Sequence, residues 1–359
     1  IVSSRACSMK HADPDRLRTA ILNELFDCLS KTDGEQVEQL AAAIKDAPRV
    51  FIQGKGRMGM ILKAFAYRLA SICRVHNIGD VTVPPIGLND LLIVTPTGGD
   101  PRSSTRFLEI ARENKAHVAA LTANRAGPIG RLADLFLEVD AKTMLPEDKR
   151  DSVQPMCSTL EQLGLLLFDS IVLLLERPQF TFEEADRCVR NDLARAFKCV
   201  PETDIVNFLR KIDDASRLFF DASGRELQLL SCFAMRCYHM GKQVYVANEV
   251  STPCIAKGDT LVVSCSDDAD ESLLLRAKRA KERGAALLAL TGGQGANALR
   301  SICDAEICIS ADRPVCGLQS DGAVYGQCML LTLDYAVAKA MRQIHMDENV
   351  LINRHTNLE

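Results

Sequence analysis

The sequence predicts an α/β protein built from two tandem, doubly wound αβα sandwiches, each with a five-stranded parallel sheet. Three observations lead to this fold class. The chain has 359 residues, for which two domains are the natural expectation. Its motifs recur in the same order at an interval of 168 to 169 residues. Within each repeat, short apolar runs without polar alternation are separated by helical stretches, which is typical of a parallel sheet covered on both faces.

The internal repeat rests on several pairs of matching segments. RVFIQGKGR is echoed by RLFFDASGR, and FAYR is echoed by FAMR. The matching pairs are residues 49–57 with 217–225, 65–68 with 233–236, and 83–90 with 252–259. Because these anchors keep one order and nearly one spacing, we interpret them as two copies of one domain.

The elements of the first copy can be assigned in order from apolar runs and turn residues. We expect strands at 50–53, 91–95, 118–121 and 135–139, helices from the glycine turn to about residue 74 and from residue 98 to about 115, and a long closing helix at 158–176. A helical arm at 14–45 precedes the copy and a helix at 182–197 follows it. The predicted organisation is a helical arm (1–35), a first domain (36–180), a helical linker (181–203), a second domain (204–345) and a C-terminal tail (346–359).

Composition excludes several classes of protein. A formal charge of −4 argues against a nucleic-acid or anionic-membrane surface. The longest apolar run, near residues 163–175, contains Asp169 and Ser170, which favours a buried helix over a membrane span. The 14 cysteines are scattered without Cys-x-x-Cys pairs or matching histidines. We therefore expect free thiols, no metal site and a reduced, cytoplasmic protein.

The turn after the first strand contains a G-x-G-x-x-G pattern at Gly54, Gly56 and Gly59, followed by Asp80 at the spacing of a ribose-binding acid. This pattern is typical of dinucleotide binding. The second copy keeps only Gly224 at these three glycine positions. We therefore favour a tight turn and close helix–sheet contact, and we expect no cofactor. An NAD-dependent oxidoreductase stays as an alternative that rests on this pattern alone.

A second turn, after the 91–95 strand, has the composition of an anion site. Hydroxyls and bare backbone amides at a helix N-terminus attract anions, and this is the edge of the sheet where ligands bind. The candidate ligands of a phosphate are Thr95, Thr97, Gly98, Gly99, Ser103 and Ser104. The equivalent turn of the second copy, 264–271, carries four carboxylates that would repel a phosphate, at Asp267, Asp268, Asp270 and Glu271. We expect an anion at the first turn and not at the second.

Between about residue 35 and residue 345, the chain resembles sugar isomerase (SIS) domains, most closely those of the 6-phospho-3-hexuloisomerase family. That family carries G-A-G-R-S-G and K-A-F-A-M-R-L, then Q-P-M-G-x-x-x-E-Q, M-H-L-G and G-E-x-x-T-P. The corresponding segments here are GKGRMG at 54–59, KAFAYRL at 63–69, QPMCSTLEQ at 154–162, YHMG at 238–241 and NEVSTP at 248–253. The resemblance implies a flavodoxin-like strand order and a sugar phosphate as ligand. It also implies a homodimer of the two-domain chain.

The departures from the family pattern are informative. The phosphate loop S-G-S-G-E-T is reduced to TPTGGD at 95–100, and Met58 replaces a serine. In the first copy Ser71 stands where the family has histidine, and in the second Gly326 stands where it has glutamate. The losses are complementary, since Glu161 survives in one copy and His239 in the other. In this superfamily, sites form between domains, so the resemblance implies one composite site and one inert counterpart.

The resemblance implies a chemical role for each of these residues. Isomerising a ketose phosphate moves a proton between adjacent carbons through an enediol, and Glu161 can move it if a shielded site raises its pKa. His239 can polarise the carbonyl or move the hydroxyl proton near neutral pH, and Arg57 can clamp the phosphate or neutralise the enediolate. Gly54, Gly56 and Gln154 complete the predicted substrate site. The leading interpretation is a ketohexose-phosphate isomerase, and the alternative is a non-catalytic regulator that binds a sugar phosphate. The sequence leaves the identity of the sugar open.

Overall fold

Two helices lead into the first domain, α1 (Pro14–Ser30) and α2 (Gly34–Asp46). The computed structural model describes residues 14–95, 101–145, 148–267, 269–293, 296–310 and 317–356. Asp33 begins α2, because its carboxylate accepts a hydrogen bond from the Glu35 amide. The predicted arm at 14–45 is therefore two helices, separated at 31–33, and α2 buries one apolar face against the domain.

The first domain is a parallel sheet with helices on both faces. Its elements are β1 (Val50–Gly54), α3 (Gly56–Leu69), β2 (Val75–Asn77), β3 (Leu91–Thr95), α4 (Pro101–Glu113), β4 (His117–Thr122), α5 (Pro128–Leu132), β5 (Leu135–Glu138) and α6 (Ser158–Glu176). The five strands lie in the order β2-β1-β3-β4-β5, with every pair parallel. This is the flavodoxin-like order, so the predicted fold class is confirmed.

The second domain repeats this arrangement after a helical connection. Its elements are α7 (Phe182–Cys199), α8 (Glu202–Asp214), β6 (Leu218–Asp221), α9 (Gly224–His239), β7 (Val244–Val246), β8 (Thr260–Cys265), α10 (Glu271–Glu282), β9 (Ala286–Gly292), α11 (Asn297–Arg300), β10 (Ala305–Ile309), α12 (Asp321–Gln343) and α13 (Glu348–Ile352). The strand order β7-β6-β8-β9-β10 matches that of the first sheet strand for strand. Thr181 and Glu184 form a reciprocal capping box that fixes the start of α7.

One apolar core joins the two domains, and a smaller cluster lies on the outer face of each sheet. Helix α6 is buried on nearly all sides, which explains its apolar sequence. It is long and apolar enough to cross a membrane, but 94% of its apolar window is buried inside the protein. The length and composition of α6 are therefore accounted for by a core position.

The domain interface is formed by equivalent helices from the two repeats. Helix α3 packs against α9, and α6 packs against α12. Each domain also sends an arginine from its glycine turn to an aspartate in the last long helix of the other domain, Arg57 to Asp334 and Arg225 to Asp169. Such reciprocal contacts are what an approximate two-fold axis produces. The two copies thus pack directly against each other.

Candidate functional site

The glycine turn after β1 presses the start of α3 against the strand. Gly56 has a φ of +54°, in the left-handed region that glycine adopts without strain. A Cβ atom on Gly59 would lie 2.6 Å from the carbonyl oxygen of Gly54, and one on Gly54 would lie 2.5 Å from Thr95 Oγ1. The glycines therefore serve the tight turn and close helix–strand contact that the sequence predicted. A substrate contact at Gly54 or Gly56 stays a prediction.

Thr95 ends β3 with a buried hydroxyl beside this turn. Its side chain is 3% exposed, and Oγ1 has no hydrogen-bond partner in the described structure. Leaving a buried hydroxyl unsatisfied costs about 1–3 kcal/mol, so a ligand oxygen at this position would be favourable. Ser104, also buried, lies in the first turn of α4. The remaining predicted loop positions fall outside the described residues: Thr97, Gly98, Gly99 and the side chain of Ser103.

Glu161 lies in the first turn of α6, where it contacts one guanidinium from each domain. Its carboxylate Oε2 lies 3.0 Å from Arg57 Nε and 3.3 Å from Arg236 Nη2. The residue is 5% exposed. Burial raises the pKa of Glu161, whereas the two guanidinium groups lower it, and the net shift is upward. This carboxyl group therefore holds a proton more readily than an exposed glutamate does.

The two arginines have different surroundings. Arg57 Nη2 donates to both carboxylate oxygens of Asp334, at 2.8 and 2.7 Å. Burial lowers the pKa of Arg57, but the negative charges of Asp334 and Glu161 raise it by a larger amount, so the net shift of this pKa is upward. The pKa of Arg236 is lowered by burial and by the positive charge of Arg57. Among the described residues, Arg57 Nη1 and Arg236 Nε have no hydrogen-bond partner, which leaves buried donors beside Glu161.

Arg236 ties the second domain to the N-terminus of α6. Its Nη2 donates to Ser158 Oγ at 3.1 Å, and its Nη1 lies 2.7 Å from Met156 Sδ. Met156 has a φ of +55°, an unusual value for a side chain of its size. The segment that leads into α6 is thus held in a strained conformation beside the ionic cluster, which consists of Glu161, Arg57, Arg236 and Asp334. Strained backbone is common at functional sites.

His239 ends α9, three residues after Arg236, so the two side chains lie on one face of the helix. It is 4% exposed, and its Nδ1 has no partner among the described residues. Burial and the positive charge of Arg236 lower the pKa of His239 to about 3. Its imidazole is therefore neutral around pH 7 and does not titrate there. The ring of His355 lies with its centroid 5.3 Å away.

The C-terminal segment covers this cluster from one side. Glu348 accepts a hydrogen bond from the Met156 amide and forms a 2.9 Å ion pair with Lys142. Arg354 Nη1 donates to the carbonyl oxygen of His239 at 3.1 Å. A cavity of about 450 Å³ lies next to the segment, lined by residues that include Gln154, Pro155, Arg342, His345 and Glu348. The residues predicted as a tail from 346 onward therefore contact both domains.

Gln154 takes part in a buried hydrogen-bond network. Its side-chain amide and that of Gln162 bond each other reciprocally at 2.8 Å, and Gln154 also donates to Thr159 Oγ1 at 3.0 Å. Gln162 then donates to Asp334 at 2.9 Å. The network orients the partner of Arg57, so the position of Gln154 fits support of the ionic cluster. Direct contact of Gln154 with a substrate stays a prediction.

The counterpart of this site on the other side of the interface lacks both key groups. A Cβ atom on Gly326 would lie 2.8 Å from Leu229 Cδ1, so packing fills the place of a longer side chain. Ser71 is exposed, lies just after the end of α3, and donates to the Arg68 carbonyl in that helix. Arg68, the counterpart of Arg236, pairs with Asp169 instead. The surroundings of Gly326 and Ser71 thus differ from those of Glu161 and His239, and whether only one side is active stays a prediction.

Sequence reasoning had not assigned Arg236 or Asp334 to the site. Arg236 belongs to the repeated motif at 233–236, which served only to establish the repeat. Asp334 lies in an apolar stretch of α12 and is 1% exposed. A charged residue inside an apolar helix requires a buried partner, and that requirement is the signal that points to it.

Comparisons with known proteins agree with this architecture. The family model described as SIS domain matches residues 43–166. The 3-hexulose-6-phosphate isomerase of Bacillus subtilis is 34% identical over 160 residues, which are 43% of this chain and 85% of that protein. The enzyme of the same name from Mycobacterium gastri is 33% identical over 152 residues, 42% of this chain and 76% of its own length.

Two solved structures match both halves of the chain. The C-terminal domain of glucosamine-fructose-6-phosphate aminotransferase from Francisella tularensis covers 91% of the chain and 94% of its own length, with a TM-score of 0.61 at 12% identity. Glucosamine-6-phosphate deaminase from Thermotoga maritima covers 93% of the chain and 95% of its own length, with a TM-score of 0.56 at 13% identity. At these identities the likeness concerns the fold alone.

Proposed function

This chain belongs to the SIS-domain family, and on that premise we propose that it is a sugar-phosphate isomerase acting on a phosphorylated ketohexose at one composite site between its domains. One observation carries the proposal. The buried carboxylate of Glu161 contacts Arg57 and Arg236, and nitrogen atoms of both arginines, and of His239 one helical turn after Arg236, are buried and unpartnered within the described structure. Buried polar atoms without partners are rare in proteins, and a polar ligand would satisfy them.

Each side chain fits a step in moving a carbonyl to the adjacent carbon. Glu161 takes the proton from the carbon next to the carbonyl and returns it to the other carbon, a role that suits a carboxylate of raised pKa. His239, being neutral, donates a hydrogen bond to the carbonyl oxygen. The proton of the neighbouring hydroxyl passes to that oxygen, so that the carbonyl ends on the adjacent carbon. Arg236 stabilises the negative charge that develops on the enediolate oxygen.

We place the phosphate of the substrate where β3 leads into α4. The unpartnered hydroxyl of Thr95 lies at the carboxyl end of β3, and the first turn of α4 presents backbone amides and Ser104. Helix N-termini of this length attract phosphate through their free N–H groups and the helix dipole. The remaining ligands of the phosphate, by this proposal, come from Thr97, Gly98, Gly99 and Ser103.

Ligand screening followed by turnover assays tests the proposal. Hexose and hexulose phosphates are first ranked by the rise that each causes in the unfolding midpoint, and those that stabilise are then assayed for isomerisation. We expect Glu161→Gln to keep the ligand-induced rise and to lose turnover by about 10²–10⁴-fold. The matched control is Ser71→Ala at the counterpart of His239, which should leave turnover unchanged. Absence of stabilisation by any sugar phosphate contradicts the proposal.

A non-catalytic binding protein is the second candidate, and one observation favours it. Glu161 and His239 are each almost fully buried, and Arg354 of the C-terminal segment contacts the His239 carbonyl oxygen. The same assays separate the two functions, because stabilisation by a sugar phosphate without turnover would identify the regulator. We further propose that the chain is cytoplasmic and forms a homodimer. Light scattering of the purified protein tests the homodimer by measuring the mass of the particle in solution.

A further inference from the structure

In the second domain, a side chain of the protein itself fills the turn that corresponds to the proposed phosphate site. Glu226 lies in the first turn of α9, at the position that Met58 holds in the first domain. Its Oε1 accepts hydrogen bonds from the Ser266 amide at 3.0 Å and from Ser266 Oγ at 2.6 Å. Its Oε2 accepts one from Ser264 Oγ at 2.7 Å. The carboxylate is therefore held by two hydroxyls and a backbone amide.

The corresponding turn of the first domain has an unsatisfied hydroxyl at the equivalent position. Thr95 and Ser264 both lie at the carboxyl ends of the middle strands, β3 and β8, 169 residues apart. Thr95 Oγ1 has no partner in the described part of the chain, whereas Ser264 Oγ contacts both Glu226 and Tyr325. In the first domain Met58 points instead toward Gly164. Of these two equivalent hydroxyls, only that of Ser264 is satisfied by the described residues.

From this contrast we infer that the second domain retains an oxyanion-binding cradle, made of Ser264 and Ser266, whose permanent occupant is the carboxylate of Glu226. Hydroxyl and amide donors that converge on two oxygen atoms at the end of a parallel strand are the donors that a phosphate or carboxylate ligand uses. Since Glu226 takes all three hydrogen bonds, the second domain cannot accept a sugar phosphate. The chain then binds one sugar phosphate, in the first domain.

The surrounding charges favour a carboxylate over a phosphate in this cradle. Asp270 lies nearby and already accepts hydrogen bonds from Ser223, Ser272 and the Leu273 amide. Its negative charge disfavours a dianion more than a single carboxylate. Acetate is the matching probe, because replacing Glu226 by alanine deletes a group of the same size and charge.

Chemical rescue by acetate tests the inference. Glu226→Ala should lower the unfolding midpoint, and sodium acetate should restore it saturably, relative to sodium chloride at equal ionic strength. Glu226→Gln fills the same space without the charge and should show no response specific to acetate. The double variant Glu226→Ala/Ser264→Ala should bind acetate about 10-fold or more weakly than Glu226→Ala, because one charge-assisted hydrogen bond is lost.

An equal response to acetate and chloride in Glu226→Ala, or an equal response to acetate in Glu226→Gln, would overturn the inference. If Glu226→Ala does not fold in chloride, refolding that requires acetate supports the inference, and failure to refold in acetate contradicts it. The acetate experiment does not depend on catalysis. Calorimetric titration of the unaltered chain with a sugar phosphate is separate: one equivalent per chain supports a single open site, and two equivalents contradict it.

Discussion

Arg57 of the first domain donates two hydrogen bonds to Asp334 of the second. The equivalent residues of the repeat make the same contact from the second domain to the first. Arg225, the counterpart of Arg57, donates two hydrogen bonds to Asp169, at 2.9 and 2.7 Å. Both ion pairs belong to one interface, but Arg57 and Asp334 are both almost fully buried, whereas Arg225 is partly exposed. Only the first lies beside an ionisable residue of the proposed site, Glu161. The two repeats thus keep the ion pair on both sides of the interface, but residues suited to the proposed catalysis lie beside only one of the two pairs.

The first prediction uses these two ion pairs as a matched test. Removing one member of a buried ion pair leaves the other charge uncompensated, which costs about 3–5 kcal/mol in the free energy of unfolding. Asp169→Asn and Asp334→Asn should therefore both destabilise the protein, as measured by urea unfolding. Only Asp334→Asn should also lower kcat under conditions where both variants are folded. Equal effects of the two variants on kcat would contradict the assignment of the site to one side.

The second prediction concerns the two proposed catalytic groups. Glu161→Gln and His239→Asn should each lower kcat, although the residues belong to different domains. Since the groups act on one substrate, the double variant should lose far less than the product of the two separate losses. Steady-state kinetics of the single and double variants measure this. Losses that multiply would show that the residues act independently.

The third prediction concerns the C-terminal segment. Glu348→Ala leaves the buried Met156 amide without its acceptor and should lower the free energy of unfolding by about 1–3 kcal/mol. Lys142→Ala removes only the partly exposed ion pair with the same carboxylate and should cost about 0–1 kcal/mol. Urea unfolding of the two variants measures the difference. Equal losses would mean that the Met156 contact contributes no stability.

The sequence predicted four strands of the first sheet and the long helix α6 well, because parallel strands and buried helices leave apolar runs. Helix α6, for example, has the predicted bounds, 158–176. The sequence did not assign the three-residue strand β2, and it carried α3 about five residues past its end at Leu69. The ionic cluster was harder to predict, because Arg236 meets Glu161 through the packing of two domains and not through any local pattern. The low pKa of His239 likewise follows from burial and from a neighbouring guanidinium, neither of which the sequence displays.

The contact of Glu226 was also hard to predict, because it depends on the fold and not on a local sequence pattern. The acidic turn of the second domain indicated that phosphate is disfavoured there, but the residue that closes the turn is 38 residues before Ser264 in the chain. Alignment of the two repeats shows a glutamate at 226 where the first copy has Met58, and this difference is the sequence signal for the position. Only the fold brings its carboxylate to the end of β8.

The fourth prediction is a dependence of stability on pH that arises from His239. Its pKa falls from 6.5 to about 3 on folding, so the unfolded chain binds a proton in this range and the folded protein does not. The stability that His239 contributes is therefore fully present above pH 6.5 and is lost as the pH falls toward 3, by up to about 1.4 kcal/mol per pH unit.

Urea unfolding of the protein and of His239→Asn between pH 7 and pH 5 isolates this contribution. The difference in unfolding free energy between them should change as the pH falls, because asparagine takes up no proton in either state. The charges that oppose protonation come from Arg236 on α9, Arg57 on α3 and His355 in the C-terminal segment. His117→Asn, at the exposed start of β4, is the control for removing an imidazole from the surface. A difference between the protein and His239→Asn that is independent of pH would mean that folding does not lower the pKa of His239.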